Sequence, residues 1–372
     1  MQASFQKIVK SISNNPIVVY GLPVTPYYGV NALTNLKRLG IHPSYLADTY
    51  RYGGFYYDLK ILSPDELFEL DKRESITVVI YSQSYIHEIY TYLTYSEFRG
   101  RILCLPVFLE EKDSFTFPLP DEKKDVFEED IKKIHANLGD NVSKDILNLL
   151  IKGRNELSPD CFTKAYDLSI MNSGENMYFI KEVIEQITLL KRNDVGVFID
   201  CGSFDGDTIQ TMIDLNIPFS NAFCFEPDPK TFANLVDRLE RLSINNYVTA
   251  YKKGVWSEST TLHFCPTNDG ASHLSWDGSG IFLDVVSLDN FLNEQQHVAM
   301  IKMDIEGSEM EALEGAINTI QRERPILAIS VYHKFSDITK IPLFLMERLE
   351  RYTFLLRHHC GMIETVFYCL PC

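Results

Sequence analysis

Two acidic segments, VFIDCGSFDGDT (197–208) and IKMDIEGSEMEALEGA (301–316), hold the side chains best suited to chemistry. In the first, an apolar run ends on Asp200. Gly202 and Gly206 allow a tight turn, and Ser203, Asp205, Asp207 and Thr208 lead into a helical pattern. A strand, glycine turn and helix in this order place a ligand at the carboxyl end of the strand, against the helix N-terminus. A pyrophosphate there would be repelled by Asp200, Asp205 and Asp207, and D-x-G-x-x-x-G departs from the dinucleotide spacing G-x-G-x-x-G. A ligand with an ammonium and a sulfonium would be attracted. That description fits S-adenosylmethionine.

Glu226 and Pro227, in FCFEPDP, follow a second apolar run twenty residues beyond Gly206. An acidic side chain at that distance can accept both hydroxyls of a ribose. In KKGVWS, Gly254 permits close approach, and Val255 and Trp256 offer apolar cover for an adenine. The second acidic segment delivers Asp304, Glu306 and Glu309 around Gly307 to the rim of the same cleft, with Asp304 also in reach of the cofactor. Glu309 would also suit a helix N-terminus through the dipole. An alcohol that accepts a methyl group must lose its proton, which calls for a general base. His333, closing ILAISVYH, is the expected base, with Asp304 as orienter or alternative base. A cation held by Asp304 and Glu306 would lack a third ligand, and no metal is expected. Glu306, Tyr178 and the small polar set Asn268, Ser272 and His273 of NDGASHLS are the expected acceptor contacts.

These segments, together with GVWS, GASHLS, VVSLDNF and ISVYHK, resemble the FkbM family of S-adenosylmethionine-dependent methyltransferases over about residues 175–370. The K-x-D-x-E-G-x-E core is distinctive, whereas the glycine turn is shared by most class I methyltransferases. The resemblance implies a class I sheet and methyl transfer to a hydroxyl, with a sugar, glycan or small metabolite as partner. Some relatives also look similar upstream, with a Rossmann-like N-terminal domain. Two other readings compete. A catalytically silent S-adenosylmethionine-binding module would keep the glycine turn and lose the rim, but MDIEGSE is intact. An NAD(P)-dependent oxidoreductase would need G-x-G-x-x-G after a strand, and no such motif is present.

The elements that must position these residues follow from the pattern. Strands alternate with helices in two stretches, implying parallel sheets with helices on their faces. The expectation is an α/β chain of two doubly wound domains: a degenerate Rossmann-like domain at 1–108, a linker and helical connector at 109–192, and a methyltransferase domain at 193–372. The first turn, YGLPVTPYYG, carries prolines and tyrosines in place of the glycine fingerprint, which favours a scaffold, docking or homodimer surface. EEKDSFTFPLPDEKKDVFEED reads as linker, DNVSKDILNLLIKGRNEL and MYFIKEVIEQITLLKRND as helices. The last domain should hold seven strands, from VGVFID to TVFYCL, the final pair forming an antiparallel hairpin.

A formal charge of −16 argues against nucleic acid and anionic lipid. No apolar run approaches the ~20 residues of a membrane span, and the start lacks the apolar centre of a secretory signal, so a cytoplasmic protein is expected. Eight cysteines are scattered. Cys369 and Cys372 form a lone C-x-x-C near His358, His359 and Cys360, a weak metal signal that reads better as ordinary strand cysteines.

Overall fold

The computed structural model describes residues 2–22, 32–106, 108, 119, 121–190, 196–265, 273–274, 280–292 and 296–372. The chain divides into two compact units. The first comprises Met1–Glu129, Lys144–Met171 and Arg357–Glu364; the second comprises Asp130–Ser143, Asn172–Leu356 and Thr365–Cys372.

The chain begins α1 (Gln2–Ile12), β1 (Ile17–Tyr20), α2 (Ala32–Arg38), β2 (Tyr45–Ala47), β3 (Phe55–Tyr56) and β4 (Leu59–Leu62). It continues with α3 (Pro64–Arg73), β5 (Thr77–Ile80), α4 (Ile86–Tyr95) and β6 (Arg101–Cys104). The six strands form one sheet in the order β3-β4-β2-β1-β5-β6. β1 lies parallel to both β2 and β5, and every residue of β1 and β5 is buried, which accounts for runs that are largely β-branched and do not alternate with polar residues. α3 starts where the sequence says it should. Ser63 Oγ accepts from Glu66 N at 3.2 Å, and Glu66 Oε2 accepts from Ser63 N at 3.0 Å. The short β3–β4 hairpin was not expected; its strands are only two and four residues long, too short for a clear periodic signal.

Four helices follow: α5 (Lys124–Asn137), α6 (Asn141–Glu156), α7 (Pro159–Ser173) and α8 (Lys181–Leu190). The stretch read as linker therefore becomes helical at Lys124, where the apolar spacing of Val126, Phe127, Ile131 and Ile134 begins.

The second unit is built on β7 (Val197–Cys201), α9 (Asp207–Asp214), β8 (Ala222–Phe225), α10 (Pro229–Arg241) and β9 (Val248–Tyr251). An excursion contains β10 (Gly254–Val255), β11 (Thr260–Cys265), β12 (His273–Leu274), β13 (Ile281–Val286) and α11 (Leu288–Phe291). The chain closes with β14 (Val298–Met303), α12 (Glu309–Glu314), α13 (Ile317–Glu323), β15 (Ile326–Ser330), α14 (Asp337–Arg348), β16 (Tyr352–Cys360) and β17 (Glu364–Pro371). The main sheet has seven strands in the order β16-β17-β15-β14-β7-β8-β9, with β17 antiparallel to β15 and the terminal pair a hairpin. From β7 the chain winds outward to β9, then returns to β14 on the other side. The crevice between the carboxyl ends of β7 and β14 is thus the switch point where ligands of open sheets bind.

Two elements differ from the expectation. VTAYKKGV is not one strand: β9 stops at Tyr251, and β10 joins a separate four-stranded sheet in the order β10-β13-β11-β12. The helix expected over EMEALEGAINTIQRE breaks after Gly315. A Cβ there would lie 2.1 Å from the Trp256 carbonyl oxygen, and Asp289 Oδ1 caps the next helix from Thr319 N at 2.7 Å. No helix among the described residues is long and apolar enough to cross a membrane.

Candidate active site

β7 ends in the glycine turn, and its geometry explains the glycines. Gly202 sits at φ +82°, and a Cβ on it would lie 1.8 Å from the Asp304 carbonyl oxygen. No other residue fits between the two strand ends. Gly206, at φ +86°, opens α9 beside Leu235 and Arg238. The carboxylates of the turn are less bare than their spacing implied. Asp200 is 0% exposed and Lys302, from β14, is 2% exposed; their charged atoms lie 3.0 Å apart. Burial raises the Asp200 carboxyl, and Lys302 opposes that rise. Asp205 is paired with Arg238 Nη2 at 2.5 Å. The picture of three uncompensated carboxylates is therefore corrected: two of them carry resident cations. Ser203 Oγ donates to the Asp200 carbonyl at 2.9 Å and Thr208 is buried, so both side chains stabilise the turn from inside.

Glu226 follows β8 directly. Its Oε1 accepts from Asp228 N and Thr231 Oγ1, each at 2.8 Å, and its Oε2 accepts from Phe204 N at 2.9 Å. A carboxylate offers about four lone pairs. Three are in use, leaving one on Oε2, enough for one ribose hydroxyl where the sequence reading had both. Burial, partly offset by these hydrogen bonds, pushes Glu226 up to about 7. Beside it the Tyr251 ring stacks on Phe225 at 5.3 Å, with Phe291 edge-on at 4.9 Å from Tyr251. Sequence reasoning missed this aromatic wall and assigned the apolar cover to the next turn. In the structure Val255 pairs with Val286, and Trp256 packs against Phe264, Leu283 and Val285 of the small sheet's own core.

The richest cluster lies at the ends of β14 and β15. Asp304 Oδ2 accepts from Tyr178 at 2.6 Å, and Asp304 Oδ1 accepts from Tyr332 at 3.0 Å. Burial raises the Asp304 carboxyl, but His333, Lys302 and the hydrogen bonds outweigh it and hold it below its usual range. His333 is 1% exposed and enclosed by carboxylates. Its Nδ1 lies 2.9 Å from Glu309 Oε1, and its Nε2 lies 3.3 Å from Asp304 Oδ1 and 3.5 Å from Glu306 Oε2. Burial lowers His333, yet Glu309, Glu306 and Asp304 together push it up to about 10. Glu306 holds φ +55° ahead of Gly307 at +89°, an uncommon left-handed pair that turns the chain sharply after Asp304. Farther in, burial and the Glu309 charge push Asp337 up to about 7.

The structure thus brings together Tyr178, Asp304, Glu306 and His333, and adds Lys302, Glu309 and Tyr332. Lys302 had a signal: a lysine inside the apolar strand VAMIKM demands a buried partner. Glu309 looked like a helix-dipole residue and does occupy the first turn of α12, but its Oε1 also accepts from Ile305 N at 2.8 Å. Asn268 and Ser272 lie outside the described residues, and of His273 the backbone alone is described, in β12. Cys369 is buried, while Cys372 is exposed with its Sγ 3.2 Å from Thr353 Oγ1.

With the geometry in place, comparison with known proteins is informative. Residues 200–356 match the family model of the methyltransferase FkbM domain. Over 173 residues the chain is 24% identical to the 2-O-methyltransferase NoeI of Sinorhizobium fredii, spanning 41% of this chain and 67% of that protein. Over 128 residues it is 31% identical to the hexuronic acid methyltransferase AglP of Haloferax volcanii, spanning 33% of this chain and about half, 52%, of that protein. A crystal structure of a methyltransferase FkbM from Methylobacillus flagellatus superposes with a TM-score of 0.69 at 20% identity, covering 99% of this chain and 93% of that one. This last likeness speaks to the fold.

Proposed function

We propose, for a chain that carries a methyltransferase FkbM domain over residues 200–356, methyl transfer from S-adenosylmethionine to a hydroxyl of a sugar or glycan. The match of residues 200–356 to the methyltransferase FkbM domain supports methyl transfer; the donor and the acceptor class are the further inference. The observation that carries it is Asp304: an ionised carboxylate at the switch point, fixed by two tyrosine hydroxyls and still 23% exposed. Two relatives, a 2-O-methyltransferase and a hexuronic acid methyltransferase, support the acceptor class.

The residues present suit the donor. Glu226 keeps one lone pair for a ribose hydroxyl, the half-buried Tyr251 and Phe291, backed by the buried Phe225, offer aromatic surface for an adenine, and Asp207 and Asp304 favour a cationic ligand. Bound S-adenosylmethionine supplies a methyl group on a positively charged sulfur, ready for in-line displacement by an oxygen. The chain's task is then to position the acceptor and take up its proton.

Asp304 is the residue for that task. Tyr178 and Tyr332 occupy two of its lone pairs and lock its orientation, so a third donor, the acceptor hydroxyl, meets a fixed oxygen. The proton moves from that hydroxyl to Asp304 as the oxygen forms its new bond. His333, expected as the base, lies behind the carboxylates at 1% exposure with both ring nitrogens turned towards them. It holds the cluster in place and does not reach an acceptor. Glu306, equally exposed at 23%, is placed to accept from a neighbouring sugar hydroxyl.

The test is transfer of a radiolabelled methyl group to a panel of monosaccharide and uronic acid glycosides. The reading expects a labelled product that survives mild alkali, as a methyl ether does. A product that loses its label in alkali is a carboxyl ester and contradicts hydroxyl methylation.

A further inference from the structure

We infer that Asp304, Glu309 and His333 form a binding site for one divalent metal ion of the Mn²⁺ or Mg²⁺ class, with Glu306 at its rim. Among the described residues, these three are the cluster of His, Cys, Asp and Glu side chains whose ligand atoms all lie within 4.8 Å of one another. Ligands facing each other across an ion at ~2.1–2.4 Å are ~4.2–4.8 Å apart, so the set is already the size of a coordination sphere. One imidazole and several carboxylate oxygens suit a hard or borderline cation and not the thiolate-seeking ones.

A second, separate observation points to a ligand. His333 and Glu309 are each 1% exposed, yet neither ring nitrogen of His333 nor Oε2 of Glu309 has a hydrogen-bonded partner. The nitrogens approach the carboxylates to 2.9–3.5 Å without the alignment of an N–H donating to an oxygen. One ring nitrogen of a neutral His333 and one oxygen from each acid can direct lone pairs at a shared third atom, which is what crowded buried atoms not bonded to one another allow. The charge agrees. Asp304, Glu306 and Glu309 face a single imidazole ring; Lys302 also acts on Asp304 but is ion-paired with Asp200 at 3.0 Å, and Lys334 lies 4.0 Å from Glu311. The unmatched negative charge of a buried cluster is costly, and a dication would neutralise it. Access is available from the side of Asp304 and Glu306, whose side chains are each 23% exposed.

The sequence reading rejected a cation because Asp304 and Glu306 lacked a third ligand. Glu309, the first residue of α12, and His333, just beyond β15, supply it. Binding of the ion is independent of the proposed reaction. Its use does rest on that reading: an ion at Asp304 would polarise an acceptor oxygen and ease loss of its proton.

The experiment is a titration of the chelator-treated full chain with Mn²⁺, followed by electron paramagnetic resonance. The site predicts uptake of one equivalent and, in the pulsed spectrum of the wild type, ¹⁴N coupling from a single imidazole. His333→Gln should abolish the coupling. Glu309→Gln should weaken uptake by more than the ~10–100-fold that loss of an outer-shell partner costs. Circular dichroism of both variants checks that they fold, and the wild-type nitrogen signal carries the test if they do not. Absence of uptake at millimolar Mn²⁺, or uptake with no nitrogen coupling, overturns the site. Either result leaves the methyl-transfer reading standing, since labelled methyl transfer in the presence of a chelator tests that separately.

Discussion

Replacing Lys302 with Met isolates the electrostatic centre of the glycine turn. Lys302 and Asp200 are 2% and 0% exposed, face each other across the β7–β14 register and lie 3.0 Å apart. Lys302 Nζ also donates to the Gly202 carbonyl at 2.5 Å and sits 5.0 Å from the centre of the Tyr178 ring. Met matches the stem of Lys closely, so the change removes the charge and little packing. What remains is a buried carboxylate with no cation, a loss of ~3–5 kcal/mol. For a unit of this size each kcal/mol moves the midpoint by ~2–4 °C, giving a fall of roughly 6–20 °C. Asp200→Asn should also destabilise, because it leaves Lys302 buried without a counter-charge. The double variant Asp200→Asn/Lys302→Met carries no buried charge and should regain most of the loss, to within ~1–2 kcal/mol of wild type. Thermal and urea denaturation of the two single variants and the double variant close the cycle. A single Lys302→Met variant within ~1 kcal/mol of wild type, or a double variant no better than the singles, would refute the reasoning.

Three further outcomes follow from the same geometry. Folding raises the Glu226 pKa from its ordinary value near 4.5 to about 7, so the folded state prefers the protonated carboxyl and this contribution to stability is lost as pH rises through that window. Binding of S-adenosylhomocysteine, which needs the ionised acceptor, should strengthen as pH passes 7 in wild type and stay flat in Glu226→Gln; calorimetry at pH 6 and pH 8 decides it. Gly202→Ala forces a left-handed residue and a Cβ 1.8 Å from the Asp304 carbonyl oxygen, so it should lower the urea midpoint and displace β14; a variant as stable as wild type contradicts the tight approach. Asp304→Asn should cut methyl transfer by about 10²–10⁴-fold while leaving S-adenosylhomocysteine affinity within a few-fold, and a full-speed variant removes Asp304 as proton acceptor.

The fold and one half of the site were legible because they rest on local signals. Short, mostly apolar runs gave β1, β5, β7, β14 and β15, and the S-P-D-E capping box gave α3. The glycines of 202 and 206 are where backbone geometry admits nothing larger. The other half depends on side chains that meet across the sheet. His333 looked like a base because it closes the strand ILAISVYH at the cleft rim; Glu306 and Glu309, reaching it around the Gly307 turn, enclose it. Lys302 cancels Asp200 from a strand a hundred residues away. Trp256 seemed an adenine cover until β10 left the main sheet for its own small core, while Tyr251 and Phe291, ordinary aromatics in sequence, meet edge to face at the strand ends.

Titration of the full chain with S-adenosylhomocysteine, with NAD as the control, tests the account most directly. The account predicts saturable binding of one S-adenosylhomocysteine per chain at micromolar concentration, weakened by Glu226→Gln, and no heat from NAD. Binding of NAD with no response to S-adenosylhomocysteine would contradict it.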